Sequence, residues 1–258
     1  MLTKNPIKLM RYAIAGWLPG GRRRCVICKH AVWRFMPYKS GTRTAPPLMQ
    51  VLDMVGSDID HFECPHCGAH DRERHLLMYL KASGIAETLR GKRVLHFAPE
   101  KHLSVRIRSM GPSRYIPCDL HPATPDVHRV NMEAMPFPDA SFDVVIANHV
   151  LEHVSDLSKA LGEIHRVLDR AGFAILQTPY SNKLLATWED KGIDTPEARL
   201  HAHGQEDHVR LFGRDIFKRI SDAGLRDLTR SHEELLTNMD ASRYGVNVLE
   251  PFFLFQKN

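Results

Sequence analysis

The chain lacks long apolar runs: nothing in its 258 residues approaches the ~18 consecutive apolar residues of a membrane span, and the stretch Leu9 to Leu18 is broken by Arg11. A bilayer-crossing helix is therefore not expected. No small-residue cleavage site precedes Arg22-Arg23-Arg24, so a secretory leader is not expected either, and the chain reads as cytoplasmic. Strong charge bias is missing too. The net charge is only +5, and because much of the excess sits in the N-terminal third it argues weakly for nucleic acid. With 43% hydrophobic and 25% charged residues the composition is that of an ordinary globular protein, which excludes fibrous and disordered classes. The length suits one α/β domain with a small appendage.

Cysteine is scarce, five residues in all, yet four of them form two pairs, Cys25-Val-Ile-Cys28 and Cys64-Pro-His-Cys67. A two-residue gap lets both thiolates face one ion, and two such turns supply the four soft ligands that tetrahedral Zn²⁺ prefers. A full thiolate set of this kind is structural and not catalytic. Disulfides or free thiols are the competing reading, disfavoured in a reducing compartment. His30, His61, His66 and His70 lie near enough in sequence to replace one cysteine. Cys118 reads as a buried strand-end residue. Ahead of this module, Ile7, Met10, Ile14 and Trp17 recur at helical spacing among Lys4, Lys8 and Arg11. That is the pattern of a basic amphipathic helix, which would pack on the body of the protein or, less favourably, touch a membrane surface.

From Lys92 the pattern changes to short β-branched runs separated by helical stretches, the signature of βαβ units around a parallel sheet. The runs are 93–97, 115–118, 127–131, 142–147 and 173–177, with a last strand at 251–255. Leu157, Leu161, Ile164 and Leu168 mark an amphipathic crossover helix, and 212–223, closed by Gly224, a second. The organisation expected is an N-terminal amphipathic segment (1–20), a zinc module (21–70), a connecting helix (71–91) and an α/β domain (92–258). In such sheets ligands lie beyond the carboxyl ends of the strands, and an acidic residue ~20 positions after the first loop holds ribose hydroxyls. Asp119, ending the second strand, fits that place.

The stretch from Asn131 through Met132-Glu133, the strand Phe142–Ala147 and the turn Asn148-His149-Val150-Leu151-Glu152-His153-Val154 resembles the class I S-adenosylmethionine-dependent methyltransferases, as does the entry Leu168–Leu176 into the fifth strand. The resemblance covers residues 92 to about 230, and it implies a Rossmann-like sheet with helices on both faces and S-adenosylmethionine as cofactor. By resemblance, Asn131 meets the adenine through its side-chain oxygen and Met132 through its backbone N–H, with Leu120 and Glu133 beside them. Asn148 and His149 face the methionine end. One departure stands out: the first loop, His96-Phe97-Ala98-Pro99-Glu100, has no glycine where the family usually has several. Glycine lets backbone approach a ligand and adopt unusual dihedrals, so Ala98-Pro99 implies a stiffer turn, with Glu100 available to the methionine amino group. S-adenosylmethionine carries no phosphate, so this loss argues against a nicotinamide dinucleotide more than against a methyl donor. The whole chain is similar to a bacterial group of such enzymes in which two CxxC pairs precede a His-Phe-Ala-Pro-Glu loop.

Methyl transfer from a sulfonium requires alignment and exclusion of water more than acid–base machinery. A base helps at oxygen or nitrogen acceptors, and the candidates on the ligand side are His149, His203 and His208. Tyr180, Trp188, His201 and Arg210 are candidate acceptor-pocket residues, with Glu189 on the same connection. The expected activity is methylation of a small-molecule or sugar-derived acceptor. Two readings compete with it. One is RNA methylation guided by Arg22, Arg23, Arg24, Arg34, Lys39 and Arg43, although the Asn-Pro-Pro-Tyr and catalytic-cysteine signatures of base methylation are missing. The other is a zinc-stabilised binding protein whose methyltransferase fold has lost its donor.

Overall fold

A computed structural model describes residues 6–258. Lys4 and the rest of residues 1–5, part of the expected amphipathic segment, lie outside the described residues.

The N-terminal layer runs through α1 (Pro6–Trp17), a two-stranded ribbon of β1 (Arg23–Arg24) and β2 (Ala31–Val32), α2 (Pro47–Val51) and β3 (Met54–Val55). The helix α1 does pack on the body, but by an unexpected face. Ala15 and Gly16 are buried, the Ala15 carbonyl accepts from the Trp33 N–H (2.8 Å), and Tyr12 Oη donates to Glu63 (2.8 Å). The apolar stripe Ile7, Met10, Ile14 and Trp17 is instead 49–69% exposed. Small residues win the contact because only they allow the helix backbone to approach the second cysteine turn: a Cβ on Gly16 would lie 3.0 Å from the Pro65 backbone. Among the described residues no helix is long and apolar enough to cross a membrane.

The expected connecting helix is two: α3 (Asp71–Ala82) and α4 (Ile85–Thr88), broken at Gly84, whose φ of 80° belongs to the left-handed region that glycine adopts most cheaply. The α/β domain follows with β4 (Arg93–Phe97), α5 (Lys101–Ser109), β5 (Arg114–Asp119), β6 (His128–Arg129), β7 (Phe142–Ala147), α6 (Leu157–Val167), β8 (Leu168–Ile175), β9 (Tyr180–Ser181), α7 (Pro196–His203), α8 (Ile216–Asp222), β10 (Leu225–Asp227), α9 (His232–Leu236), α10 (Ala241–Tyr244) and β11 (Leu254–Lys257). Seven strands form one sheet in the order β10-β11-β8-β7-β4-β5-β6. Its ladders are parallel from β8 to β6, and β11 inserts antiparallel to both neighbours. This is the mostly parallel Rossmann-like sheet that the βαβ pattern predicts.

Several boundaries move. The third strand shrinks to His128–Arg129, the fifth begins at Leu168 instead of Phe173, the helix expected from Phe212 starts at Ile216, and the last strand shifts from 251–255 to Leu254–Lys257. For the last two, pairing overrides local propensity: Phe212 is held in a bridge with Tyr180, and Phe252 pairs with Arg230 before the main ladder begins at Leu254.

Two apolar cores sandwich the sheet. One lies between the sheet and α6 and α8. The other joins Val94, Val144, Ile146 and Ile175 of the sheet to α3 and to Cys25, Val32, Phe35 and Cys64. The cysteine module therefore has no core of its own and is built onto one face of the α/β domain. Arg74 of α3 fastens the join. It is fully buried, stacks on Phe35 (3.9 Å to the ring centroid), and donates to the carbonyls of His61, Phe62, Ala69, Tyr244 and Gly245 at 2.5–3.1 Å.

Candidate functional site

The four cysteines converge. Sγ of Cys25 lies 3.9 Å from Sγ of Cys67, and Cys28 lies 4.0 Å from Cys64. A tetrahedral ion with Zn–S bonds of ~2.3 Å would put its sulfurs about 3.8 Å apart, so the residues present fit such an ion. Both pairs turn the same way. Lys29 N–H and Gly68 N–H each donate to the carbonyl of the first cysteine of their pair (2.8 Å), and both residues have left-handed φ, 65° and 80°. Of the histidines that could have replaced a cysteine, His61 pairs with Asp58 (2.8 Å), His70 caps α3, and His30 stacks on His66 beside Cys28. Cys118 is buried at the end of β5, where burial pushes its thiol pKa up.

At the carboxyl ends of the strands, Ala98 performs the turn that glycine makes elsewhere, with φ 45°, a conformation costing a non-glycine residue about 1–2 kcal/mol. Its N–H donates to the Cys118 carbonyl (2.8 Å). Helix α5 then starts without a cap of its own, and Glu73 of α3 supplies one: its Oε1 accepts from the N–H groups of His102 (3.0 Å) and Leu103 (3.2 Å). The glycine-free loop is thus braced from the N-terminal layer. Glu100 is buried and already engaged, accepting from Asn148 Nδ2 (2.5 Å) and lying 3.3 Å from His96 Nε2 and 3.9 Å from Arg72. Burial alone would raise its pKa, but His96 holds it below the usual carboxylate range.

Asp119 ends β5 half-buried, accepting from the His121 N–H (2.8 Å), and Leu120 is exposed beside it. Asn131 uses its side-chain oxygen to accept from the Glu133 N–H (2.9 Å), a local turn, and Met132 is buried. Glu133 is drawn away to the start of α6, accepting from Ser155 (2.7 Å) and Asp156 (3.0 Å).

His149 follows β7 with φ 57° and its N–H on the Gln177 carbonyl (2.8 Å). Its ring is buried between two carboxylates, Nδ1 3.6 Å from Glu152 and Nε2 3.4 Å from Glu250. Burial by itself lowers the imidazole pKa, but the two acids more than offset it and raise it to about 9, while Glu152 is driven down to about 2. With both ring nitrogens turned to carboxylates, His149 has no free lone pair, and the expected general base is instead an imidazolium. Glu250 continues inward to His75 (3.1 Å), which meets His232 (2.9 Å). Residue patterns did not single out this buried chain. Its one sequence signal is an acid, Glu250, lodged in the apolar run Val248 to Phe255.

His149 also lines an open cleft of about 1940 Å³. Its walls are the loop of the N-terminal layer from Arg34 to Glu63, the Pro179 turn, and Leu200, His203, His208 and Arg210 after the sheet. Pairing of β3 with β9 anchors the loop over the strand ends. His203 and His208 are buried and exchange hydrogen bonds, each Nδ1 donating to the other's carbonyl (3.0 and 3.1 Å).

The other acceptor-pocket candidates sort differently. Tyr180 is core, 7% exposed and edge-on to Phe217 and Phe253 (5.4 and 5.8 Å). His201 is on the exposed side of α7, away from the cleft wall. Trp188 covers His203 from outside (5.8 Å). Arg210 reaches the cleft wall but spends its donors on Leu151, Val154 and Ser155 carbonyls and on Glu189 (3.0 Å). These side chains are too distant in sequence for periodicity to report which of them the β8–β9 crossing turns inward.

Residues 92–176 match the family model described as a methyltransferase domain. Over 128 residues the chain is 30% identical to a Mycobacterium tuberculosis protein named as a probable S-adenosylmethionine-dependent methyltransferase, covering 48% of this chain and 42% of that one. Over 73 residues it is 38% identical to the malonyl-[acyl-carrier protein] O-methyltransferase of Erwinia billingiae, covering 27% and 29%. The crystal structure of YcgJ from Bacillus subtilis aligns with a TM-score of 0.41 at 18% identity, covering 68% of this chain and 93% of that one. The chain thus spans less than half the length of the curated relatives it matches. Over residues 92–176 the chain is thus similar to a methyltransferase domain.

Proposed function

We propose that the chain as a whole transfers a methyl group from S-adenosylmethionine to oxygen or nitrogen of a small-molecule acceptor, sugar-derived compounds included. The observation that carries this reading is the direct succession Asn148-His149. Asn148 joins Glu100 across the ends of β4 and β7, where a donor's methionine end would lie, and His149 is the next residue and opens onto the cleft. Donor and acceptor would meet there. Asp119 holds the ribose from the end of β5, and Ala98, Met132 and Leu120 flank the adenosine. In the transfer, the C–S bond of the sulfonium breaks as the acceptor lone pair forms the new bond to carbon. The donor leaves as a neutral thioether, and the acceptor's proton passes to a base or to water. His149, held between Glu152 and Glu250, contributes a buried positive charge at the cleft wall; His203 and His208 are the neutral imidazoles within reach of the cleft. Among the described residues its lining holds seven Lys or Arg against four Asp or Glu, which favours an acceptor carrying negative charge.

The four sulfurs are proposed to hold one structural Zn²⁺. In this reading the metal rigidifies the loop 34–63 that roofs the acceptor cleft, so the module contributes to substrate choice without touching the reaction.

Calorimetry tests the donor site. S-adenosylhomocysteine should bind the full chain, and Asp119→Ala should weaken it more than tenfold. An unchanged affinity in the variant would place the ribose elsewhere, and no binding of S-adenosylmethionine at millimolar concentration would sink the enzyme reading in favour of a scaffold.

A further inference from the structure

The turn after β7 and the loop after α7 bring together three side chains that the methyl-transfer reading leaves without a shared purpose: Glu152, His153 and His208. One ligand-capable atom of each lies within 4.8 Å of those of the other two. Glu152 is 1% exposed and fixed by Thr178 Oγ1, which donates to its Oε2 (3.0 Å). Its Oε1 lies between His149 Nδ1, 3.6 Å away, and His208 Nε2, 4.0 Å away, so it can bridge an ion to the His149 ring. The two imidazole rings stand edge-on, 4.8 Å between centroids.

The tautomers are set by the backbone. His208 Nδ1 donates to the His203 carbonyl (3.1 Å) and His153 Nδ1 to the Asp207 carbonyl (3.2 Å), which leaves the Nε2 lone pairs unused. His208 Nε2 is buried with no hydrogen-bond partner. A buried imidazole lone pair without a partner is costly, whereas an imidazole whose other nitrogen donates to a carbonyl is the usual arrangement of a metal ligand. The surroundings are rigid: Val209 N–H donates to the Glu152 carbonyl (3.0 Å), and Arg210 ties the turn 151–155 to its own loop.

From this geometry we infer that Glu152, His153 and His208 form a second metal site, distinct from the four cysteines, for a divalent transition ion. Two imidazoles and a carboxylate suit zinc or its neighbours better than magnesium or calcium, which prefer all-oxygen sets. Nitrogen and oxygen ligands at about 2.0–2.2 Å from a tetrahedral ion sit about 3.3–3.6 Å apart, so the widest separation must close by about 1.5 Å at most, which side-chain rotation supplies. Three protein ligands leave a fourth position open, the mark of a working site and not of a structural one. Of the three, His208 lines the cleft, and an acceptor there would reach the ion on that side. The role at this point rests on the methyl-transfer reading: a hydroxyl bound to the ion loses its proton more readily, which identifies the acceptor class as an oxygen compound able to ligate a metal. The binding itself does not depend on that reading.

Metal counting on the full-length protein, loaded with Zn²⁺ and then with Co²⁺ and desalted, tests the site. The wild type should hold two ions per chain. His208→Ala and the more exposed His153→Ala should each hold one, while the intense thiolate-to-cobalt absorption of the four-cysteine site persists. Persistence of that band, with an unchanged circular dichroism spectrum, shows that the variants are folded. One ion per chain in the wild type would overturn the inference, and so would two ions in both variants. A protein that binds two ions in this pattern but no S-adenosylhomocysteine would retain the metal site and lose the methyltransferase reading, so the two failures are distinguishable.

Discussion

Arg74→Met should destabilise the protein by about 3–5 kcal/mol, the range for breaking a buried, hydrogen-bonded charge arrangement, read from the midpoint of urea unfolding. The cause is the acceptors left behind. Five carbonyls, of His61, Phe62, Ala69, Tyr244 and Gly245, converge on one guanidinium, and a buried carbonyl without a donor costs roughly 1–3 kcal/mol. Non-additivity and entry of water keep the total below the sum. Arg74→Lys should recover only part of the loss, because an ammonium has three donors and no planar fork. Because the five carbonyls belong to the cysteine module and to the C-terminal segment, the variant should loosen the module before the sheet. A loss under about 1 kcal/mol would show that water replaces the guanidinium and that Arg74 does not fasten the two parts.

Removing the ion proposed for the four cysteines is expected to act even more strongly. Structural zinc contributes on the order of 10–16 kcal/mol in small metal-dependent folds, against a total stability of about 5–15 kcal/mol for an ordinary domain. Cys25 and Cys64 are 0% exposed and belong to the core that α3 shares with the sheet. Chelation should therefore unfold residues 25–67 while β4, β7 and β8, packed on their other face by α6 and α8, stay protected. Hydrogen exchange followed by peptide would show it, as a jump in exchange over the module and little change in the sheet. Protection of the module that survives complete metal removal would mean that apolar packing alone holds it. With the loop 34–63 released, the cleft loses a wall, so acceptor methylation should fall further than donor affinity.

Much of this architecture was legible before any coordinates. The strands at 93–97 and 142–147 are buried on both faces over most of their length, so they appear as apolar runs interrupted only by Arg93, His96 and Asp143, and the crossover helix from Leu157 carries its stripe every three or four residues because only one side meets the sheet. What escaped were side chains whose surroundings come from distant segments. Tyr180 looked like a pocket residue and is core, because Phe217 and Phe253 arrive from later elements to cover it. His149 was expected to be a base, but Glu250, about a hundred residues further on, takes one of its nitrogens. The exposed stripe of α1 illustrates the same limit: periodicity reports that a helix is two-faced, and packing decides which face docks.

By itself the sequence determined the class of the domain, the pairing of the cysteines and the placement of Asp119 at the end of its strand. Each of these is a local property, set by alternation along a strand, by a two-residue turn or by the distance between a loop and the next strand end. Only the tertiary structure decided that the cysteine module shares its core with the sheet and roofs the cleft. Only it could place Glu152, His153 and His208 around a common point. Those outcomes depend on contacts between segments tens to hundreds of residues apart, which the pairing of β3 with β9 and the grip of Arg74 select and which no short window of sequence contains.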